Sequence, residues 1–173
     1  MKLSVTWIPE SGPAVRPPEA ATCVKGAPAK RVLLEICHPG GPYWRRKDEG
    51  AWSIPKGLFG EVEEPLSAAK REFLEETGMT PQGVFIELGE FRQPSGKRLT
   101  VWALEGDFDL DSFKSNTFRM EWPPKSDRFE DFPEADRAEW FDVGDATHKI
   151  TRSQQPILDA LSRLLSSTPC SQT

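Results

Sequence analysis

From Pro65 to Gly78 the chain has the pattern of a helix, with a proline where its missing N–H costs nothing and a glycine suited to end it. The pattern carries an electrostatic fault. Glu72, Glu75 and Glu76 stand three and four residues apart and so share one helix face, beside an apolar stripe of Leu66, Ala69 and Phe73. Like charges at that spacing cost about 0.2–0.5 kcal/mol per pair. Glu75 and Glu76 also fall in the last turn, where the helix dipole disfavours anions. A divalent cation removes the conflict. Magnesium takes oxygen ligands in octahedral geometry, usually from few carboxylates plus waters and phosphates, and such an ion can activate a water. The competing interpretation is a solvated acidic face with Arg71 as its internal ion-pair partner.

The flanking residues bear on that choice. The spacing G-x5-E-x7-R-E-U-x-E-E-x-G-U, with U a bulky apolar residue, is filled by Gly57, Glu63, Arg71, Glu72, Phe73, Glu75, Glu76, Gly78 and Met79. This resembles the box of the Nudix hydrolases. The lead-in Trp52-Ser53-Ile54-Pro55-Lys56-Gly57 resembles Nudix enzymes with a Pro-Lys-Gly sequence. His38-Pro39-Gly40-Gly41-Pro42, Phe118 to Pro124 and Phe132-Pro133-Glu134 resemble a largely bacterial group of predicted nucleotide pyrophosphohydrolases. The resemblance implies an α+β fold, an α/β/α sandwich around a mixed sheet. It implies metal ligation by Glu72, Glu75 and Glu76, with the carbonyl of Gly57. It further implies that Arg71 orients a box glutamate, with Glu63 in structural support. The position before Glu63, commonly glycine, is Val62 here, and Gly60 is placed to take up the turn.

Beyond the box, Arg31–Cys37 is apolar and β-branched enough for a buried strand, and Trp52–Ile54 is expected as a short strand stopped by Pro55. Two more are predicted at Val84–Phe91 and Leu99–Glu105, around a turn at Pro94-Ser95-Gly96, and a last one at Arg137–Val143. A second helix is expected over Ser153–Leu165, whose Ile157, Leu158, Leu161, Leu164 and Leu165 recur at helical spacing. Asp107–Arg128 is polar and predicts a long loop with one helical turn. Pro9, Pro13, Pro17, Pro18 and Pro28 predict an irregular segment over residues 1–30, with at most short strands near Leu3–Trp7 and Ala21–Val24. No counterpart of the family's first strand is legible there. One domain is expected over 31–165, and a disordered tail over 166–173.

Several residues have two interpretations. Lys56, Arg45 and Arg46 are cations suited to gripping phosphate, or members of a solvated basic loop. Trp44, with Tyr43, is placed either to stack on a nucleobase or to cap the sheet. Glu134 stands where the family often carries an extra glutamate acting as base or metal ligand, so Glu75, Glu76 and Glu134 are the candidate catalytic groups. His38 is expected to hydrogen-bond in a turn, and Cys37 to pack in the core.

Composition excludes other classes. A net charge of -5 gives no support to binding of nucleic-acid polymers. Three cysteines and two histidines, without metal-like spacing, argue against a disulfide framework and a structural zinc site. No apolar run is long enough for a membrane span, and Met1 to Pro9 lacks a signal-peptide pattern, so a cytoplasmic location is expected. The expected function is magnesium-dependent hydrolysis, with manganese as an alternative ion, of a phosphoanhydride bond in a nucleoside or dinucleoside polyphosphate. The alternatives are diphosphoinositol polyphosphate hydrolysis and a nucleotide-sensing module that does not cut. Sensing modules usually lose box glutamates, and this chain keeps them. Oligomeric state stays open.

Overall fold

The computed structural model describes residues 2–10, 33–58 and 63–167. Ala21–Val24, Gly60, Val62 and residues 168–173 lie outside the described residues; Ser166 and Ser167, expected in the disordered tail, belong to the last helix. The elements are β1 (Lys2–Glu10), β2 (Leu33–Pro39), α1 (Pro65–Thr77), β3 (Phe85–Arg92), β4 (Arg98–Glu105), β5 (Thr117–Glu121), β6 (Phe129–Pro133), β7 (Ala135–Asp142), α2 (Val143–Lys149) and α3 (Gln155–Ser167). Five strands form one sheet in the order β3-β4-β1-β2-β7. It is mixed, because β1 and β2 run parallel and the other pairs antiparallel.

Period-two alternation assigns the two faces. Leu34 and Ile36 of β2, with Val101 and Ala103 of β4, pack against Ile157, Leu158 and Leu161 of α3 and against Trp52 and Ile54. The intervening Trp102 points the other way, onto Ala68 and Ala69 of α1. Helices on both faces give the α/β/α sandwich expected for this α+β chain. Strand β4 is buried along Leu99–Leu104, as a strand covered on both sides must be.

The N-terminal expectation needs correcting. Residues 2–10 form a nine-residue strand in the middle of the sheet, not an irregular lead or a short strand. Eight of its residues pair with β4, from Leu3↔Glu105 to Glu10↔Arg98. Pairing with β2 stops at Ser4, so Pro9 lies where one side of the strand has no ladder bond to lose. Asp107–Arg128 also differs from a plain loop. It holds the predicted helical turn at Leu110–Ser112 and the whole of β5, which pairs with β6 as a hairpin. The rings of Phe118 and Phe132 meet across that pair at 6.2 Å. Trp52–Ile54 makes only isolated bridges, Cys37↔Ser53 and Trp52↔Ile150. Helix α2 was not anticipated. It is one short helix capped by Asp142, which accepts from Asp145 N–H at 2.9 Å. No helix among the described residues is long and apolar enough to cross a membrane.

Candidate active site

Helix α1 starts on a side-chain cap rather than on Pro65 alone. Glu64 accepts from the N–H groups of Leu66 and Ser67 at 3.0 and 2.7 Å. These bonds hold its carboxyl below the ordinary carboxylate range. At the other end Gly78 adopts φ 74° and donates its N–H to Leu74 O. The neighbouring loop supplies further donors: Lys114 N–H to Thr77 O at 3.0 Å and Asn116 N–H to Glu75 O at 2.9 Å. The last-turn carbonyls beside the acidic residues are thus satisfied by backbone rather than by a basic side chain.

The box glutamates have three different surroundings. Glu72 is buried, and its carboxyl lies against Gly57, where an ideal Cβ would stand 1.6–2.1 Å from the carboxyl atoms. Any side chain at position 57 would occupy the place of that carboxylate. Glu76 is only 7% exposed. It accepts from Lys56 N–H at 3.1 Å, and its other oxygen lies 3.6 Å from Lys56 Nζ. Glu75 is partly exposed at the rim.

Burial pushes the Glu76 carboxyl up to about 7; the Lys56 charge and N–H oppose this, while Glu134 and Glu72 add repulsion. Burial likewise raises Glu72, against the opposing pull of Arg71.

Arg71 organises this face. Its Nε and Nη2 donate to both oxygens of Glu63, at 3.0 and 3.1 Å. Its Nη1 donates to Glu72 at 2.7 Å and to Glu75 at 3.2 Å, and Nη2 also reaches Leu58 O. The fork suits guanidinium and not ammonium, and it keeps Arg71 charged.

Glu134 enters through the backbone. Its N–H donates to Asn116 O, and its carbonyl accepts from Gly40 N–H. Asn116 in turn bonds Glu75 O, so the end of α1, the base of the β5–β6 hairpin and the 40–50 loop are tied at one place. The exposed Glu134 carboxylate is close enough to raise both Glu72 and Glu76.

The remaining candidates divide. Lys56 joins the glutamates. Arg45 and Arg46 are exposed on the 40–50 loop, and among the described residues neither makes an ion pair. Trp44 is half-buried against the main core with Lys47 Nζ over its ring at 4.4 Å, so its packing is that of a sheet cap. Tyr43 is the exposed ring, standing edge-on to Trp122 at 5.3 Å. Sequence patterns gave no sign of Asn116, which acts through backbone atoms; Trp122 lay within the Phe118–Pro124 likeness but was given no role, and it meets Tyr43 only through tertiary pairing. Cys37 is a buried thiol beneath Glu76 and Lys56, raised by burial.

The donor set fits a hard divalent cation: carboxylate oxygens on one face, a carbonyl-bearing glycine held close, and a buried carboxylate whose burial outweighs the Lys56 charge. Among the described residues no three acidic, histidine or cysteine side chains form a ready-made cage. Magnesium does not require one, since it keeps waters and substrate phosphates as ligands.

A family model described as NUDIX domain matches residues 17–161 of the chain. No curated protein matches it.

Proposed function

Because the chain belongs to the Nudix family, whose members are hydrolases acting on acid anhydrides, we propose that it cleaves a phosphoanhydride bond in a nucleoside or dinucleoside polyphosphate with magnesium. Nudix enzymes generally act on nucleoside diphosphate-linked compounds and use divalent metals. The likeness of the Pro-Lys-Gly lead-in and the His38–Pro42 loop to bacterial nucleotide pyrophosphohydrolases supports ranking nucleotides first. The observation that carries the proposal is the fit of Gly57 to Glu72, beside the buried Glu76. A carboxylate pressed against a bare glycine and another buried beside it lower helix stability, and a bound cation offsets both costs.

Glu72, Glu75, Glu76 and the Gly57 carbonyl would hold the metal. When bound, it polarises phosphate oxygens and acidifies a water. The chain's own groups do the rest. Arg71 keeps Glu72 and Glu75 in place while neutralising part of their charge. Glu134, or one of the paired glutamates Glu75 and Glu76, takes the proton of the attacking water as its oxygen bonds to phosphorus. The bridging P–O bond breaks, and the electron pair leaves with the departing phosphate. Lys56, 42% exposed, is free to turn from Glu76 toward that charge. Arg45 and Arg46 reach from the 40–50 loop toward the outer phosphates.

The test is a hydrolysis screen of a dinucleoside tetraphosphate, ATP and ADP-ribose with magnesium, products identified by mass, in wild type and Glu75→Gln. Turnover of at least one nucleotide, lost in the variant, is expected. Tight nucleotide binding without turnover across the panel would favour a sensing module instead.

A further inference from the structure

His38 lies on β2, outside the box, and is fully buried. Its Nε2 is 2.7 Å from the carbonyl of Lys47, and its Nδ1 is 2.9 Å from the Asp136 carboxylate. Both partners are acceptors, so both bonds form together only when each ring nitrogen donates a hydrogen. The ring also stands edge-on to Trp52 at 5.2 Å, which prevents it from rotating freely.

The location gives these bonds their consequence. Within 41–47 the backbone bonds are local turns, Trp44 N–H to Gly41 O and Lys47 N–H to Trp44 O. Among the described residues, the bond from His38 to Lys47 is the hydrogen bond that ties this stretch to the rest of the fold. On either side the chain is held separately, by Gly40 N–H on Glu134 O and by Asp48, which accepts from Trp52 Nε1 and pairs with Lys149. The segment between those anchors carries Arg45 and Arg46. The second ring bond lands on Asp136, two residues after Glu134 on the same strand side of the site, where Arg137 also faces that carboxylate at 3.3 Å.

We propose that His38 is a positioning residue, whose Nε2 pins the loop bearing Arg45 and Arg46 to β2, with Asp136 only orienting the ring, and which thereby sets substrate affinity without touching substrate. The affinity half rests on the proposed function, in which those arginines meet phosphate; the pinning half does not.

Asparagine and glutamine separate the two ring bonds. The Asn amide reaches roughly to the Nδ1 position and the Gln amide roughly to the Nε2 position, so His38→Asn keeps the Asp136 bond while His38→Gln keeps the Lys47 bond. The exposed Arg45-Arg46-Lys47 run is a trypsin site, and cleavage there reports local opening. With His38→Asn, cleavage at that run should accelerate about tenfold, as expected for loss of one partly buried hydrogen bond. The KM for ATP should rise severalfold with kcat nearly unchanged. His38→Gln should stay near wild type in both. Equal cleavage in wild type and His38→Asn, or equal defects in the two variants, would overturn the pin. If His38→Asn does not fold, NMR of the wild-type ring decides, since absence of a hydrogen on Nε2 overturns it and a hydrogen bond from Nε2 to the Lys47 carbonyl supports it. Faster cleavage with no KM change, together with no KM change in Arg45→Ala or Arg46→Ala, would support the pin and overturn the phosphate role of the loop.

Discussion

Glu76→Gln should stabilise the metal-free protein at about pH 8 and do little at about pH 5. The carboxyl of Glu76 is pushed from 4.5 in the open chain to about 7 in the fold, chiefly by burial. A raised carboxylate pKa means that the folded protein binds the proton more tightly than the unfolded one. Ionisation therefore costs no stability below the unfolded value. The cost grows as pH climbs between the two values and is complete above the folded one. At 1.36 kcal/mol per pH unit the full cost is about 3 kcal/mol, and by about pH 5 it has fallen to roughly 1 kcal/mol. Glutamine cannot ionise, and its carbonyl can still accept the Lys56 N–H. The contact with Lys56 Nζ, 3.6 Å away, which the variant also loses, is already counted in that value. The net gain is about 3 kcal/mol at pH 8, or about 6–12 °C in Tm for a chain of this size. Urea and thermal unfolding with a chelator, at both pH values, measure it. Magnesium should then stabilise wild type at pH 8 and the variant much less. A variant less stable than wild type at pH 8, or an equal gain at both pH values, would refute the attribution to a carboxylate whose burial outweighs the Lys56 charge.

Gly57→Ala should remove at least about 90% of kcat/KM and weaken magnesium binding, because its Cβ would overlap the Glu72 carboxyl; isothermal titration and a nucleotide assay check both. Arg71→Lys should lower kcat by tenfold or more while leaving the fold intact, since one ammonium cannot span Glu63, Glu72 and Glu75; circular dichroism and turnover separate the two effects. Lys56→Ala should harm a dinucleoside tetraphosphate more than ADP-ribose, with one charged hydrogen bond worth about 1.5–3 kcal/mol; kcat/KM on both substrates decides it.

The local code was legible because it is local. The helix from Pro65 to Thr77, its Gly78 stop and its acidic face follow from spacing alone, and Gly57 to Met79 carries the family resemblance within 23 residues. Leu99–Glu105 was likewise legible as a strand after the turn at Pro94-Ser95-Gly96. What tertiary structure decided depends on partners far apart in the chain. Lys2–Glu10 reads as coil beside its prolines, yet eight pairings with β4 make it a strand. Thr117–Glu121 alternates polar and apolar residues, but over only five residues in a polar stretch, and it is the pairing with β6 that makes it a strand. Trp44 and Tyr43 are adjacent and chemically alike as candidates, and only packing turns one toward the core and leaves the other exposed. Glu134, Asn116 and Gly40 meet through backbone bonds that every residue but proline can make, so no side-chain pattern announces them. Sequence thus determined the chemistry that the chain carries, since charge and spacing along one helix are local quantities. The surroundings of each group, and with them the raised carboxyl of Glu76, come from burial that exists only once the sheet has closed over it.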